Sequence, residues 1–170
     1  IDDVEIPHAD DIAPVYLHTV LAEAAAIHAR TLKERPGDYS QGVRLRLEMG
    51  QDVLAEDYAR AQKEREVLRR EVDAALDGRQ ALLLPTLPIP APLLGARTIL
   101  VDDVTEEVRA LMLRLTQLFD LTGHPAVTIP CGSVGNGLPC GAQLVGEFGR
   151  TLDVLDLAAI YEPTLRFKFS

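Results

Sequence analysis

The sequence predicts an α/β fold in which several helices pack on part of a mixed β-sheet. Long segments in its first half repeat apolar residues at intervals of three and four, which is the period of an amphipathic helix. Short apolar runs in its second half are bounded by proline or glycine and are too short for helices, so they are typical of buried strands. Together these patterns favour helices that cover a small sheet.

Three helices are expected before residue 80. The first runs to about Lys33, because Asp10 or Asp11 can cap it and Pro14 is tolerated in its first turn. A strand-like VEIP precedes it, and a short helix, VRLRLEMG, follows the break at RPGDYSQG. The third helix spans about Leu54 to Leu76, and Gly78 can end it in a left-handed conformation.

The strands are expected at ALLLPT, AVTIP and GAQLVG, all in one sheet, with AVTIP and GAQLVG as antiparallel neighbours. The pair Asn136 and Gly137 favours the reversal between those two strands. The proline-rich LPIPAPLLG predicts a semi-rigid loop that can line a cavity. A helical stripe from Val108 to Phe119 is expected after DDVTEE, and a final helix from Thr151 to Glu162 should stop at Pro163.

Composition excludes several classes of protein. With 170 residues and 47% hydrophobic content, we expect residues 1–170 to form one globular unit. A net charge of -9, from 17 basic and 26 acidic residues, disfavours nucleic acid and anionic membrane surfaces as partners. No apolar stretch near 20 residues and no signal peptide stand out, so we expect a cytoplasmic protein without a membrane partner.

The segment LTGHPAVTIPCGSVGNG gathers residue types that often occur in active sites. Its CGSVG is one residue short of the GxSxG nucleophile pattern, which makes Ser133 a poor candidate nucleophile. Cys131 and His124 should lie at opposite ends of a strand, too far apart to act as a nucleophile and base. Cys131 and Cys140 are more typical of small buried thiols than of a disulfide scaffold or a zinc site.

No metal or cofactor site is expected. His18 and His28 do not share a helix face, and neither has a carboxylate in the HExxH spacing. No pair of carboxylates stands isolated in an apolar setting. The residues by themselves therefore predict no catalytic group in this chain.

Three motifs in a fixed order carry a resemblance: ALLLPTLPIPAP, FDLTGHPAVTIPCG and GNGLPCGAQLVG. Together they resemble the C-terminal part of the amidase signature family, and the helical segments EAAAIHA, DYSQGVRLRLEMG and DYARAQKER extend the likeness over nearly the whole chain. The resemblance implies a C-terminal portion of the amidase fold. It also implies hydrolysis of a carboxamide C–N bond through a serine acyl-enzyme, with no cofactor.

Members of that family use a Lys-Ser-Ser triad within a glycine- and serine-rich signature in their N-terminal half. This sequence has no such signature, and its candidates, apart from Ser133, lie in helices, a loop and the tail: Lys33, Lys63, Lys168, Ser40 and Ser170. We therefore expect a C-terminal part whose main partner is the absent N-terminal catalytic half. The chain alone should supply walls of the substrate pocket and no catalytic residue.

By position, the resemblance implies substrate contacts for Thr116, Thr86, Leu87 and Arg46. Thr116 matches a threonine of the acyl pocket, and Thr86 with Leu87 matches the pocket edge. Arg46 matches an arginine that contacts substrate carboxylates in glutamine-handling members. Two alternatives stay open, because Thr116 can be a packed helix residue and Arg46 a buried ion-pair partner.

Two departures from the family pattern bear on the substrate. Asp120 stands where asparagine is usual, and Leu113 stands where glutamine-specific members carry an acid, which makes a role in an amidotransferase less favoured. The alternative function is a stand-alone helical interaction module without catalytic activity. A severed domain should also expose an apolar face, which we expect at ALLLPT and at Leu111, Leu115 and Leu118, or bury it in a homo-oligomer.

Overall fold

The structure is a computed structural model of the chain, and it describes residues 2–135 and 137–165. Helices combine in it with two small antiparallel sheets, which confirms the predicted α/β class. The chain divides into two compact units. Residues 7–68 form the helical unit, and residues 1–6 with 69–170 form the sheet unit.

The helical unit contains α1 Ile12–Glu34, α2 Gln41–Gln51 and the first part of α3 Ala55–Leu76. All three predicted helices are confirmed to within about two residues of their predicted ends. Asp11 holds the N-cap position of α1 but makes no capping hydrogen bond with its side chain. Its backbone N–H instead donates to the His8 carbonyl at 3.0 Å, in a short 3₁₀ turn that precedes α1.

A glycine sets how closely α1 and α2 approach. A Cβ atom added to Gly50 would lie 2.1 Å from the Leu21 carbonyl oxygen and 2.8 Å from the Ala25 Cβ. Both neighbours belong to α1, and the nearer one is backbone, which cannot rotate away. The small residues of α1 and α2 therefore let the two helix backbones come into contact, as the alanine-rich sequence indicated.

Polar contacts join α3 to α1 within the helical unit. The Gln62 side chain donates to the buried Thr19 hydroxyl at 3.0 Å, and the Tyr58 hydroxyl donates to a Glu23 carboxylate oxygen at 3.0 Å. The Glu23 bond raises the pKa of Tyr58 above its usual value, because the carboxylate favours the protonated phenol. These bonds satisfy polar groups that would otherwise be stranded between the helices.

The helix through Ala9–Glu34 is 26 residues long and apolar enough, by length and composition alone, to cross a membrane. The sequence analysis missed this stretch because alanines, rather than large apolar residues, supply much of its apolar character. Core helices of soluble proteins satisfy the same criterion, and α1 packs against α2 through the Gly50 contact. The absence of a membrane partner therefore remains a prediction.

The sheet unit contains the end of α3 and, in chain order, β1 Leu82–Pro85, β2 Thr98–Val101, β3 Val104–Glu107, α4 Val108–Leu113, α5 Gln117–Thr122, β4 Ala126–Ser133, β5 Pro139–Val145 and α6 Thr151–Leu165. Strand β5 lies between β1 and β4 and is antiparallel to both. The prediction of one sheet, with AVTIP and GAQLVG as antiparallel neighbours, is confirmed. Asn136, between those strands, lies outside the described residues.

The two faces of this sheet have different partners. On one face, Ile129 and Leu144 pack against Val154 and Ala158 of α6 in a buried apolar cluster. Successive residues of a strand point to opposite faces, so Gln143 lies on the other one. There its side chain donates to the Leu115 carbonyl at 3.0 Å, which holds the turn between α4 and α5 against the second face.

Strands β2 and β3 form a hairpin that the sequence analysis missed. DDVTEE was expected to start a helix, but Val104–Glu107 is a strand and the helix begins only at Val108. Asp102 and Asp103 adopt φ of 48° and 65°, and two consecutive positive φ values give a reversal that matches strand twist. The acidic cluster resembled a helix start, although it serves as a turn.

Three other predicted boundaries are wrong. Residues 4–6 form no strand, and the helical stripe from Val108 to Phe119 is divided into α4 and α5. Helix α6 passes through Pro163 to Leu165 instead of stopping there. Proline removes only one backbone donor, and this loss falls in the last turn of the helix.

The expected exposed apolar face is only partly correct. Leu83 in β1 is exposed, but Leu111 and Leu118 are buried and Leu115 is half-buried. The stripe on α4 and α5 therefore belongs to the core of the sheet unit. Exposed apolar side chains occur instead in the proline-rich loop and on the β2–β3 hairpin, at Leu93, Leu94, Leu100 and Val104.

A buried histidine fixes the segment that leads into β4. The His124 side chain is buried, with Nδ1 2.9 Å from the Thr122 hydroxyl and Nε2 3.0 Å from an Asp73 carboxylate oxygen. Arg69 donates to the Thr122 carbonyl at 2.9 Å and stacks over the Phe148 ring, 4.6 Å from its centroid. The end of α3 is thereby joined to the start of β4.

We expect Gly50→Ala to lower the free energy of unfolding by about 1–3 kcal/mol, because the new methyl group would push α1 away from α2. Urea unfolding followed by circular dichroism measures this. Gly42→Ala in the same helix is the matched control, since a Cβ there meets nothing within 4 Å. Its stability should be unchanged or higher by up to about 1 kcal/mol. Equal stabilities of the two variants would contradict the close helix contact.

We expect His124→Ala to destabilise the protein by about 2–4 kcal/mol, because it opens a cavity and leaves the Thr122 hydroxyl without its partner. His28→Ala is the control: His28 is exposed and bonds only the Tyr39 hydroxyl among the described residues, at 3.0 Å. That variant should lose less than about 1 kcal/mol. Thermal unfolding of both variants and the parent distinguishes them, and similar losses would exclude an anchoring role for His124.

Candidate functional site

Two threonine hydroxyls meet on the second face of the sheet. Thr86 directly follows β1, and its backbone N–H donates to the Gly141 carbonyl on β5 at 2.9 Å. The Thr86 hydroxyl donates to the Thr128 hydroxyl of β4 at 3.1 Å. This contact spans the central strand, since β1 and β4 lie on either side of β5.

The contact depends on a glycine beneath it. A Cβ at Gly141 would lie 2.6 Å from the Thr128 methyl carbon and 3.0 Å from the Thr86 hydroxyl oxygen. Any larger residue at this position would separate the two threonines. We call Thr86, Thr128 and Gly141 the threonine cluster; it presents polar atoms on an open face, with Thr128 exposed and Thr86 half-buried.

Thr116 belongs to the turn that lies against the same face. Gln143, two residues from Gly141 on β5, donates to the carbonyl of Leu115, the neighbour of Thr116. The Thr116 hydroxyl donates to the Leu113 carbonyl at 3.3 Å within that turn. Because the proton is used there, the hydroxyl oxygen remains as an acceptor. This bond also supports the alternative that Thr116 has a local structural role.

Leu87 stands at the edge of the threonine cluster. It follows Thr86 in the chain and is half-buried, and the proline-rich loop begins at Pro88. Within that loop Ile89 is buried and anchors it, whereas Leu93 and Leu94 are exposed. Leu87 therefore provides an apolar rim next to polar hydroxyls, which is the usual mixture in a pocket for a small organic molecule.

Arg46 lies in the helical unit, on α2, whereas Thr86, Leu87 and Thr116 lie in the sheet unit. Its side chain is exposed, so it is not the buried ion-pair partner that the alternative required. No hydrogen-bond or ion-pair partner of Arg46 is found among residues 2–135 and 137–165. Its neighbour Arg44, in contrast, is 3.5 Å from the Glu48 carboxylate.

The suspected nucleophiles have no base beside them. Both ring nitrogens of His124 are bonded elsewhere, so His124 does not activate Cys131. Ser133 is exposed at the end of β4. Burial raises the pKa of the Cys131 thiol, with a further contribution from Cys140, and a raised pKa keeps the thiol protonated and weakly nucleophilic.

The lysine and serine candidates of the helical unit also lack a catalytic setting. Lys33, Ser40 and Lys63 are all exposed, whereas a lysine that acts as a base needs burial to lower its pKa. Lys168 and Ser170 lie outside the described residues. Within the described part of the chain, no group of three or more His, Cys, Asp or Glu side chains is placed to hold a metal ion.

One contact was missed by the sequence analysis: the Cys131 and Cys140 sulfur atoms lie 3.6 Å apart. The strand register contained the signal for it. Pro130 pairs with Gly141, so counting one residue further along both strands brings Cys131 opposite Cys140. Separate strand predictions for AVTIP and GAQLVG did not extend the pairing that far.

Known proteins give independent information on the family. A family model described as Amidase matches residues 1–155. An amidase of Pseudomonas putida is 37% identical over 152 residues, which is 89% of this chain and 32% of that protein. The matching polypeptide of the glutamyl-tRNA(Gln) amidotransferase of Synechococcus sp. (strain CC9902) is 33% identical over 146 residues, covering 83% of this chain and 29% of that polypeptide.

Solved structures agree in fold. A crystal structure of an amidase aligns with a TM-score of 0.88 at 39% identity, over 96% of this chain and 37% of that chain. An inhibitor-bound structure from work on a vestigial protein complex and an s-triazine catabolic enzyme aligns with a TM-score of 0.84 at 28% identity, with the same two coverages. The chain thus spans about a third of the length of these relatives.

The family match covers far more than half of the 170 residues and agrees with the motifs that suggested the amidase signature family. The structural likeness extends over almost the whole chain, through both helices and strands. This chain belongs to the amidase family.

Proposed function

We propose that this chain is the C-terminal part of a longer amidase that hydrolyses a carboxamide C–N bond through a serine acyl-enzyme. Residues 1–170 would act together as one part of the amidase domain. They would supply walls of the substrate pocket, while the Lys-Ser-Ser triad would come from an N-terminal half that this sequence does not contain. Family membership supports amide hydrolysis in general, and the remaining steps are inferred.

The threonine cluster is the observation that carries this proposal. Its hydroxyls lie on an open face of the sheet, and the turn that contains Thr116 is held to that face by Gln143. An amide substrate has a carbonyl oxygen that accepts and an N–H that donates, and threonine hydroxyls can serve both. Leu87 would contact the apolar part of the acyl group.

In the proposed reaction, the serine hydroxyl attacks the amide carbonyl and the amine leaves with the proton supplied by the base. Water then attacks the acyl-enzyme and releases the acid, which regenerates the serine. Backbone N–H groups would stabilise the oxyanion. The part of the present chain is to bind and orient the acyl portion, so its residues should affect specificity more than the chemical step.

Arg46 would bind a substrate carboxylate only if the substrate carries one. Its exposed guanidinium is able to form a bidentate pair with a carboxylate. Neutral and carboxylate-bearing amides are therefore both candidate substrates. A cytoplasmic location accompanies this proposal, and no metal or organic cofactor is required by the acyl-enzyme route.

We expect the purified 170-residue chain to release no ammonia from simple carboxamides, because no described serine or cysteine has a base within reach. A coupled ammonia assay measures this, with circular dichroism to verify folding. Turnover that is lost in Ser133→Ala or Cys131→Ala would identify a local nucleophile and contradict the proposal. A folded, inactive chain that gains activity on addition of the N-terminal half would exclude the stand-alone interaction module.

Within the longer enzyme, Thr86→Val should lower kcat/KM by about tenfold, equal to about 1.4 kcal/mol for one lost hydrogen bond. The isosteric change keeps the shape of the site and removes only the hydroxyl. Thr105→Val is the matched control, because Thr105 is an exposed threonine on β3. It should leave kcat/KM unchanged. If both variants retain full kcat/KM, the threonine cluster does not contact substrate.

A further inference from the structure

Two cysteines face each other across the β4–β5 pair, outside the threonine cluster. Cys131 lies near the end of β4 and Cys140 near the start of β5, with their sulfur atoms 3.6 Å apart. Both thiols are free and half-buried. They are the two cysteines of the sequence, so any intramolecular disulfide must join them.

A β-bulge produces this contact. Pro130 pairs with Gly141, but the next pair is Gly132 with Cys140, so Cys131 and Gly132 both stand opposite Cys140. Gly132 has a φ of 126°, which a residue with a side chain rarely adopts. The bulge therefore fixes one thiol over the other by backbone geometry, independently of side-chain packing elsewhere.

The geometry is close to that of a cross-strand disulfide. Opposed residues of an antiparallel pair have Cα atoms about 4.5–5.5 Å apart, within the range that a disulfide spans. The sulfur atoms would need to approach by about 1.5 Å to reach the length of an S–S bond. Rotation about the two Cα–Cβ bonds can supply much of this movement, so the strands need not separate.

We propose that Cys131 and Cys140 form a reversible thiol-disulfide pair that is oxidised by low-molecular-weight disulfides such as oxidised glutathione. One thiolate attacks the small disulfide, forms a mixed disulfide and releases one small thiol. The second cysteine thiolate then attacks the protein sulfur of that mixed disulfide and displaces the second small thiol. Two cysteine thiols are oxidised, and one small disulfide is reduced to two small thiols.

The setting of the thiols favours a pair that rests in the reduced state. Burial, followed by the contact with Cys140, raises the pKa of Cys131, so its thiol stays protonated at neutral pH. Once a mixed disulfide has formed at either sulfur, the neighbouring thiol is already in contact. The second step should therefore be fast relative to the first, and mixed disulfide should not accumulate.

The experiment incubates the full chain with oxidised glutathione and follows free thiols and intact mass. We expect both titratable thiols to disappear, with a mass loss of two hydrogens, no bound glutathione and a single peptide linking Cys131 to Cys140. Dithiothreitol should restore both thiols. Persistent glutathione adducts, disulfide-linked dimers or two unreacted thiols would each overturn the proposal.

Cys131→Ser and Cys140→Ser are the matched controls, each leaving one thiol in the same surroundings. Either variant should hold one glutathione as a stable mixed disulfide, because no second thiol can displace it. Circular dichroism of each variant establishes that it is folded before the thiol assay. Parent protein that accumulates adduct at the same level as the single-cysteine variants would also refute the pair.

Discussion

The central position of β5 is the constraint on which the sheet unit depends. This strand pairs with β1 on one side and β4 on the other, and its alternating residues serve two faces. Leu144 packs into the apolar cluster beneath α6, while its neighbour Gln143 holds the Leu115 carbonyl above the opposite face. A shift of one residue would exchange these roles and leave an amide in the apolar cluster.

The candidate site follows from the same register. Gly141 brings Thr86 and Thr128 together because it lacks a side chain, and Gln143 brings the Thr116 turn to the same face. None of these residues is itself a strong acid, base or nucleophile. Such a surface suits binding and orientation of a substrate, in agreement with a family member that spans about a third of the length of its relatives.

The buried polar contacts differ in kind from those of the site. His124 has both ring nitrogens bonded, and the neighbouring Arg69 holds the Thr122 carbonyl, so this group stabilises the start of β4. The conspicuous histidine of LTGHPAVTIPCG is thus a structural residue. The cysteine of the same motif faces Cys140 instead of a histidine, and its chemistry is that of a thiol pair.

The sequence by itself determined the helices at 12–34, 41–51 and 55–76, the three strands of the main sheet and the family, because periodicity and short motifs are local properties of the chain. Tertiary structure decided which side chains meet. The Asp102–Asp103 turn, the break between α4 and α5, the contact of Thr86 with Thr128 and that of Cys131 with Cys140 all depend on pairing between distant segments. A periodic pattern predicts which residues are buried, but the register of paired strands fixes their neighbours, and that register is set by packing of the whole unit.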